Sequence, residues 1–285
     1  LLQAVVVCII FYLVYDAHIK VKEAAHRLEH YKYEEAMLID QMDRIEGRAM
    51  QLQEQLRRLR QINGEDSSES ELAKTKLEAH TVEKDVFHWK RHFFEINKEV
   101  HALQDFMQDK ARQDISSRYG SGTIQVNLNL ATEEEGAPSQ VTLELFDETP
   151  HAAWTFLQQI EKGDWKGASF IWHPSHMVLA SPTKASSRKI EFVEKSHYEH
   201  EAWTVGLTPV VGGRYNLYIN LQDNSHVHDG DVCLGKVVGG FDSLQQVLKA
   251  KTVAKQQGGD KTYLEKPIVI NTMAISIVKR YGRRR

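Results

Sequence analysis

Two apolar repeats of period seven constrain this chain more than any other feature. In the first, Val21, Leu28, Met42, Ala49 and Leu56 form one column and Ala24, Tyr31, Leu38, Ile45, Leu52 and Leu59 the other, broken only by Glu35. The second sets Leu72, Ala79, Val86, Phe93, Val100 and Met107 beside Thr75, Val82, Trp89, Ile96 and Leu103. So long a pattern holds one helix face against a partner over many turns, as in a coiled coil, and does not suit a compact globular helix. Residues 63–70, Asn-Gly-Glu-Asp-Ser-Ser-Glu-Ser, have the composition of a loop, and the register slips by two residues across them. Helices over about 16–62 and 71–115 would each run ~65–70 Å at ~1.5 Å per residue. Equal lengths and a short joint predict an antiparallel hairpin. Such a hairpin serves equally as a spacer or as a surface for a protein partner or self-association. Trp89, Phe93 and Phe94 are bulky for a simple pair and favour a further helix or partner.

Before the first repeat, residues 1–15 (LLQAVVVCIIFYLVY) carry no charge and one polar side chain, Gln3. Spanning the hydrocarbon core takes about 20 such residues. The run is therefore read as a transmembrane segment truncated at its start, since the chain opens on Leu. Tyr12 and Tyr15 suit the headgroup zone. A cleaved signal core would need a small-residue site, whereas residues 15–20 run on into helical pattern. This predicts a single-pass membrane protein, with an endomembrane and a luminal C-terminal domain as the first expectation. The lack of any Asn-x-Ser/Thr acceptor weighs slightly against that lumen.

Thirty-six basic and 39 acidic residues, a net charge of −3, give no general attraction to nucleic acid. Only the end of the chain, 281–285 with the preceding Lys279 and Arg280, is a basic tail. Cys8 and Cys233 form no disulfide framework. Three close histidine pairs, His173 with His176, His197 with His200, and His226 with His228, lack a fixed metal-ligand spacing. They read as exposed loop histidines, so no metal and no cofactor is expected.

After a linker at 116–122 the apolar period changes from seven to two. Residues 123–130 and 140–146 alternate around an acidic turn that holds Glu133, Glu134 and Glu135, a hairpin pattern. Residues 150–160, opening on Pro150, predict an amphipathic helix. Further strands are expected at 215–221, 231–238 and 268–278, and a helix at about 241–250. The divisions are thus 1–15 membrane segment, 16–115 hairpin, 116–122 linker, 123–280 folded domain and 281–285 tail.

Across about residues 121–280 the sequence resembles the cyclophilins, the peptidyl-prolyl isomerases built on a closed antiparallel β-barrel with flanking helices. Val141 to Phe146 with Pro150 and Phe156, Lys166-Gly167-Ala168-Ser169-Phe170, Tyr218-Ile219 and Gly235-Lys236-Val237-Val238-Gly239-Gly240-Phe241 carry the resemblance in order. It implies a proline groove over Phe170, Trp172, His173, Met177, Leu179, Tyr218, His226 and Asp231. The same comparison implies a degenerate groove. The family's F-H-R-x-x-P segment presents an arginine that stabilises a twisted amide. Here it reads Phe170-Ile171-Trp172-His173-Pro174, one residue short, with Trp172 at the arginine position. Leu179 replaces a glutamine, Asn216-Leu217-Tyr218 replaces Q-F-F, His226 a tryptophan and Asp231 a histidine. An indole offers one N–H donor against five on a guanidinium. The reading is a membrane-anchored, non-catalytic binding, scaffold or structural module. The rival is a membrane-tethered isomerase that assists folding.

Overall fold

The computed structural model describes residues 2–61, 67–131, 140–172, 176–183, 189–210, 214–228, 230–254 and 262–279; the side chains of residues 2–15, 17, 18, 56, 59–61, 67–72, 172, 214, 254 and 262 lie outside it, as do His173 and the basic tail. The chain divides into two units, Leu1–Met107 and Gln108–Arg285.

The first unit is helical. Helix α1 runs over Leu2–Gln61 and α2 over Ser67–Tyr119. Their heptad columns bury Ala24, Leu28, Leu38 and Leu52 on α1 and Val82, Ile96, Val100, Leu103 and Met107 on α2. Arg27 reaches Glu99 at 3.7 Å and Lys90 reaches Glu46 at 3.5 Å, which sets the helices antiparallel. The apolar run continues without a break into the rest of α1, and among the described residues no helix is long and apolar enough to cross a membrane. Asp16 pairs with Lys20 at 2.7 Å one turn on. The helix after the loop starts early, at Ser67, because serine and acidic residues suit a helix's first turn as well as a loop.

The second unit is a barrel. Strands β1 (Thr123–Leu130), β2 (Gln140–Leu145), β3 (Ser169–Trp172), β4 (Met177–Ser181), β5 (Thr204–Val210), β6 (Arg214–Asn220), β7 (Val232–Gly239), β8 (Thr252–Ala254) and β9 (Thr262–Val278) pair in the order β1-β2-β7-β5-β6-β4-β3-β9-β8. β9 also pairs with β1, from Thr123–Val278 to Leu130–Ile270, so eight antiparallel strands close and β8 extends β9 as a short ribbon. Period-two alternation sends Val126, Leu128, Leu143, Leu217, Ile219 and Leu234 into the interior.

Helix α3 (Pro150–Glu161) places Pro150 in its first turn and buries Ala152, Ala153, Phe156 and Leu157. Phe156 meets Trp165 edge-on at 5.5 Å, and the Trp165 indole donates to Gln159 Oε1 at 3.1 Å. Helix α4 (Phe241–Lys249) starts after Gly240, whose φ of 80° is left-handed and whose added Cβ would strike the Gln140 carbonyl. Residues 116–119, read from sequence as linker, are the last turn of α2, closed by Gly120 N–H donating to the Ser116 carbonyl at 2.9 Å. Ile115 and Tyr119 pack on the barrel core, and Arg118 and Tyr119 both donate to Glu161 at 2.7 Å.

Candidate functional site

On the outer face of β3, β4 and β6, Met177, Leu179 and Tyr218 form a buried apolar cluster with Ile171 against it. The strands dictate this: Leu179 is paired with Tyr218 across β4 and β6, while the neighbours Val178, Ala180, Leu217 and Ile219 turn inward. Tyr218 lies over Gly206 of β5, where any Cβ would overlap the phenol ring. Phe170 is a correction. It is fully buried in the barrel core, paired with Ala180, so alternation points its neighbour Ile171, not Phe170, at the cluster.

A polar ring surrounds the tyrosine. Tyr218 Oη lies 3.2 Å from His200 Nδ1, and His200 Nε2 lies 3.3 Å from the Asp231 carbonyl. A carbonyl only accepts, so Nε2–H donates to it, and in the neutral ring Nδ1 accepts the phenol proton. The Asp231 carboxylate takes His228 Nδ1 at 3.0 Å, and the His228 ring stacks on Tyr218 at 4.3 Å. With Nδ1 so engaged, His228 Nε2 is buried with no partner among the described residues. Burial, then the charge of Asp231, pushes the Tyr218 hydroxyl far above its ordinary range. Burial and then His228 hold His176 below the usual histidine value. Cys233 donates to the Glu199 carbonyl at 3.6 Å, and burial pushes its thiol up to about 11, which makes it a poor nucleophile.

His197 and His226 are exposed as expected, whereas His200 and His228 are buried and His176 is half-buried. One from each sequence pair converges: the His176 and His228 rings are 6.4 Å apart, those of His200 and His228 5.7 Å, and His200 and His228 are buried. Among the described residues no group of three ligating side chains is arranged to hold a metal. A cleft of about 640 Å³ lies elsewhere, between the end of α2, the start of β1 and Tyr198, and shares no residue with this cluster. Its cations Arg112 and Lys236 are paired with Asp109 and Glu144.

The profile described as "Cyclophilin type peptidyl-prolyl cis-trans isomerase/CLD" matches residues 127–274, over half of the chain. The chain belongs to the cyclophilin family. Among solved structures it is similar to a Cryptosporidium parvum cyclophilin-type peptidyl-prolyl cis-trans isomerase, at 13% identity and a TM-score of 0.43, over 54% of this chain and 98% of that one. The same protein crystallised in the presence of the dipeptide Ala-Pro matches at 13% identity and a TM-score of 0.42, over 53% and 98%. No curated protein sequence matches the chain significantly.

Of the groove positions implied by the cyclophilin resemblance, Met177, Leu179, Tyr218 and Asp231 come together. Phe170 does not, and His226 is exposed in the loop near Asp223. Trp172 stands on β3 opposite Leu179. The sequence reading did not place Ile171 in the groove, and it read His200 and His228 as exposed loop histidines. Ile171 faces the cluster next to a register shift between Phe170 and Trp172, which no alternation in the sequence shows, and nothing periodic in the loops predicts the two histidines.

Proposed function

We propose that this cyclophilin domain is a non-catalytic binding module for short apolar segments, in a chain that also carries a coiled-coil hairpin. The supporting observation is Trp172 on β3, where the family resemblance places the arginine that binds the prolyl carbonyl. Isomerisation faces a barrier of ~18–20 kcal/mol, lowered by a donor aimed at the twisted amide. In the described cluster the Tyr218 hydroxyl and the His200 and His228 N–H groups serve one another and Asp231. Ile171, Met177, Leu179 and Tyr218 still offer an apolar shelf. The shelf binds; it supplies no free charged fork.

The full chain is tested in a protease-coupled assay on a proline tetrapeptide beside an active cyclophilin, with binding of the same peptide followed by NMR. The expected result is an uncatalysed rate, with shifts confined to resonances of residues 171–179 and 218. A rate comparable to the active enzyme establishes the rival reading, a working isomerase.

A further inference from the structure

Tyr218 stands on β6 between Leu217 and Ile219, which point into the barrel, so its ring is directed outward to the shelf, yet it is fully buried. Gly206 of β5 lies against the far end of the phenol, where an added Cβ would come within 2.2 Å of Cζ. The imidazole of His228 covers a face of the ring, with centroids 4.3 Å apart and planes 24° from parallel. The chain's own histidine thus stands where the shelf would present its largest apolar surface to a ligand.

His228 is brought there by a turn that inverts ordinary burial. Its backbone N–H and that of Val227 donate to the Asn224 carbonyl at 3.1 and 2.8 Å, and the buried Asn224 side chain donates to Asn220 Oδ1 and to the His176 carbonyl at 2.7 and 2.9 Å. The Asp231 carboxylate accepts from Nδ1 at 3.0 Å and fixes the ring. Val227 is left 65% exposed while His228 beside it is 8% exposed. Core packing alone selects the opposite, valine inward and histidine in water. Nε2 adds to the mismatch: it is buried without a partner among the described residues, and a buried polar atom left unbonded is destabilising. Moving outward restores water to that nitrogen and offsets part of the lost stacking. The imidazole is a filling that the fold can give up.

We propose that His228 is a plug: its imidazole occupies the space over Tyr218 that the groove otherwise opens to a ligand side chain, and so sets how tightly the groove binds. This deepens the reading of the groove as a site for apolar segments and rests on it. With the plug in place a peptide meets only the rim, where Ile171 is half-buried and Met177 and Leu179 are nearly covered. With it withdrawn, a compact apolar side chain of about imidazole size enters a slot floored by the Tyr218 ring. His228 therefore determines specificity by exclusion.

The test titrates the full chain and its H228A variant with the same proline tetrapeptide and, separately, with free imidazole, followed by NMR. H228A should bind the peptide about tenfold tighter than wild type, the gain from burying about two more methylene groups. Imidazole should bind H228A and not wild type, show nuclear Overhauser contacts to the Tyr218 ring, and compete with the peptide. D231A releases the plug without removing it and should fall between the two; it carries the test if H228A loses the dispersed amide spectrum of the barrel. Equal peptide affinity in wild type and H228A overturns the plug, as does D231A at wild-type affinity or imidazole that binds away from Tyr218. Imidazole bound over Tyr218 in H228A, with no peptide binding to either protein, leaves the plug standing and refutes the peptide reading instead.

Discussion

The buried carboxylate of Glu194 gives the most quantitative test of the barrel. It is 2% exposed, and its two oxygens accept the backbone N–H groups of His151 and Ala152 at 3.0 and 2.7 Å, capping α3 from the loop that precedes β5. Burial raises its carboxyl from 4.5 to about 7; the two amide hydrogen bonds and the charge of Arg112 act the other way and lose. The folded protein therefore holds this proton more tightly than the unfolded chain. The resulting stability is fully present below about pH 4.5 and is lost as pH rises through about 7. A shift of this size corresponds to about 3 kcal/mol, at ~1.4 kcal/mol per unit. Glu194→Gln is neutral throughout and keeps an amide oxygen for one of the N–H groups. Urea unfolding of both proteins from pH 4.5 to 8 should show wild type losing about 3 kcal/mol relative to the variant. In thermal melts that is ~6–12 °C for a domain of this size. A stability difference independent of pH, or one in which wild type gains as pH rises, would refute the reasoning.

Other expectations follow from single contacts. Gly206→Ala should cost ~1–3 kcal/mol in urea unfolding, because the new methyl overlaps the Tyr218 ring and displaces it from the shelf. Trp172→Arg should not restore isomerase activity in the coupled assay. The segment is one residue short of the family spacing, and a misplacement of ~1 Å already costs about a hundredfold. Glu161→Ala should remove the acceptor of both Arg118 and Tyr119, cost ~1 kcal/mol, and speed amide exchange over residues 115–119 relative to the rest of α2.

Period made most of the fold legible. The columns at Leu28, Leu38, Val82 and Ile96 were readable because a seven-residue repeat has only one interpretation as a helix, and β1 alternates buried and half-buried over its whole length. β5 was hidden by Gly206 and Pro209, which lower strand propensity although the strand is paired on both sides. The site was legible only where strands carry it. Met177, Leu179 and Tyr218 were placed by the family resemblance, which also put Phe170 in the groove, whereas Phe170 lies in the barrel core. His200 and His228 arrive on loops whose paths depend on the finished barrel. No spacing in the sequence distinguishes them from exposed His197 and His226.

The long strand β9 governs how this protein can be made. It pairs in turn with β8, β3 and β1, and its last residues close the barrel on the first strand of the unit, Val278 against Thr123. During synthesis the helices, held by local bonds, form as they emerge, whereas β1 and β3 each keep one edge unpaired until the final strand arrives. For that interval the nascent chain shows two open edges and an uncovered core to its surroundings. A ribosome-bound chain stalled before residue 262 should therefore be a substrate for chaperones and proteases, and one released after residue 279 should resist both.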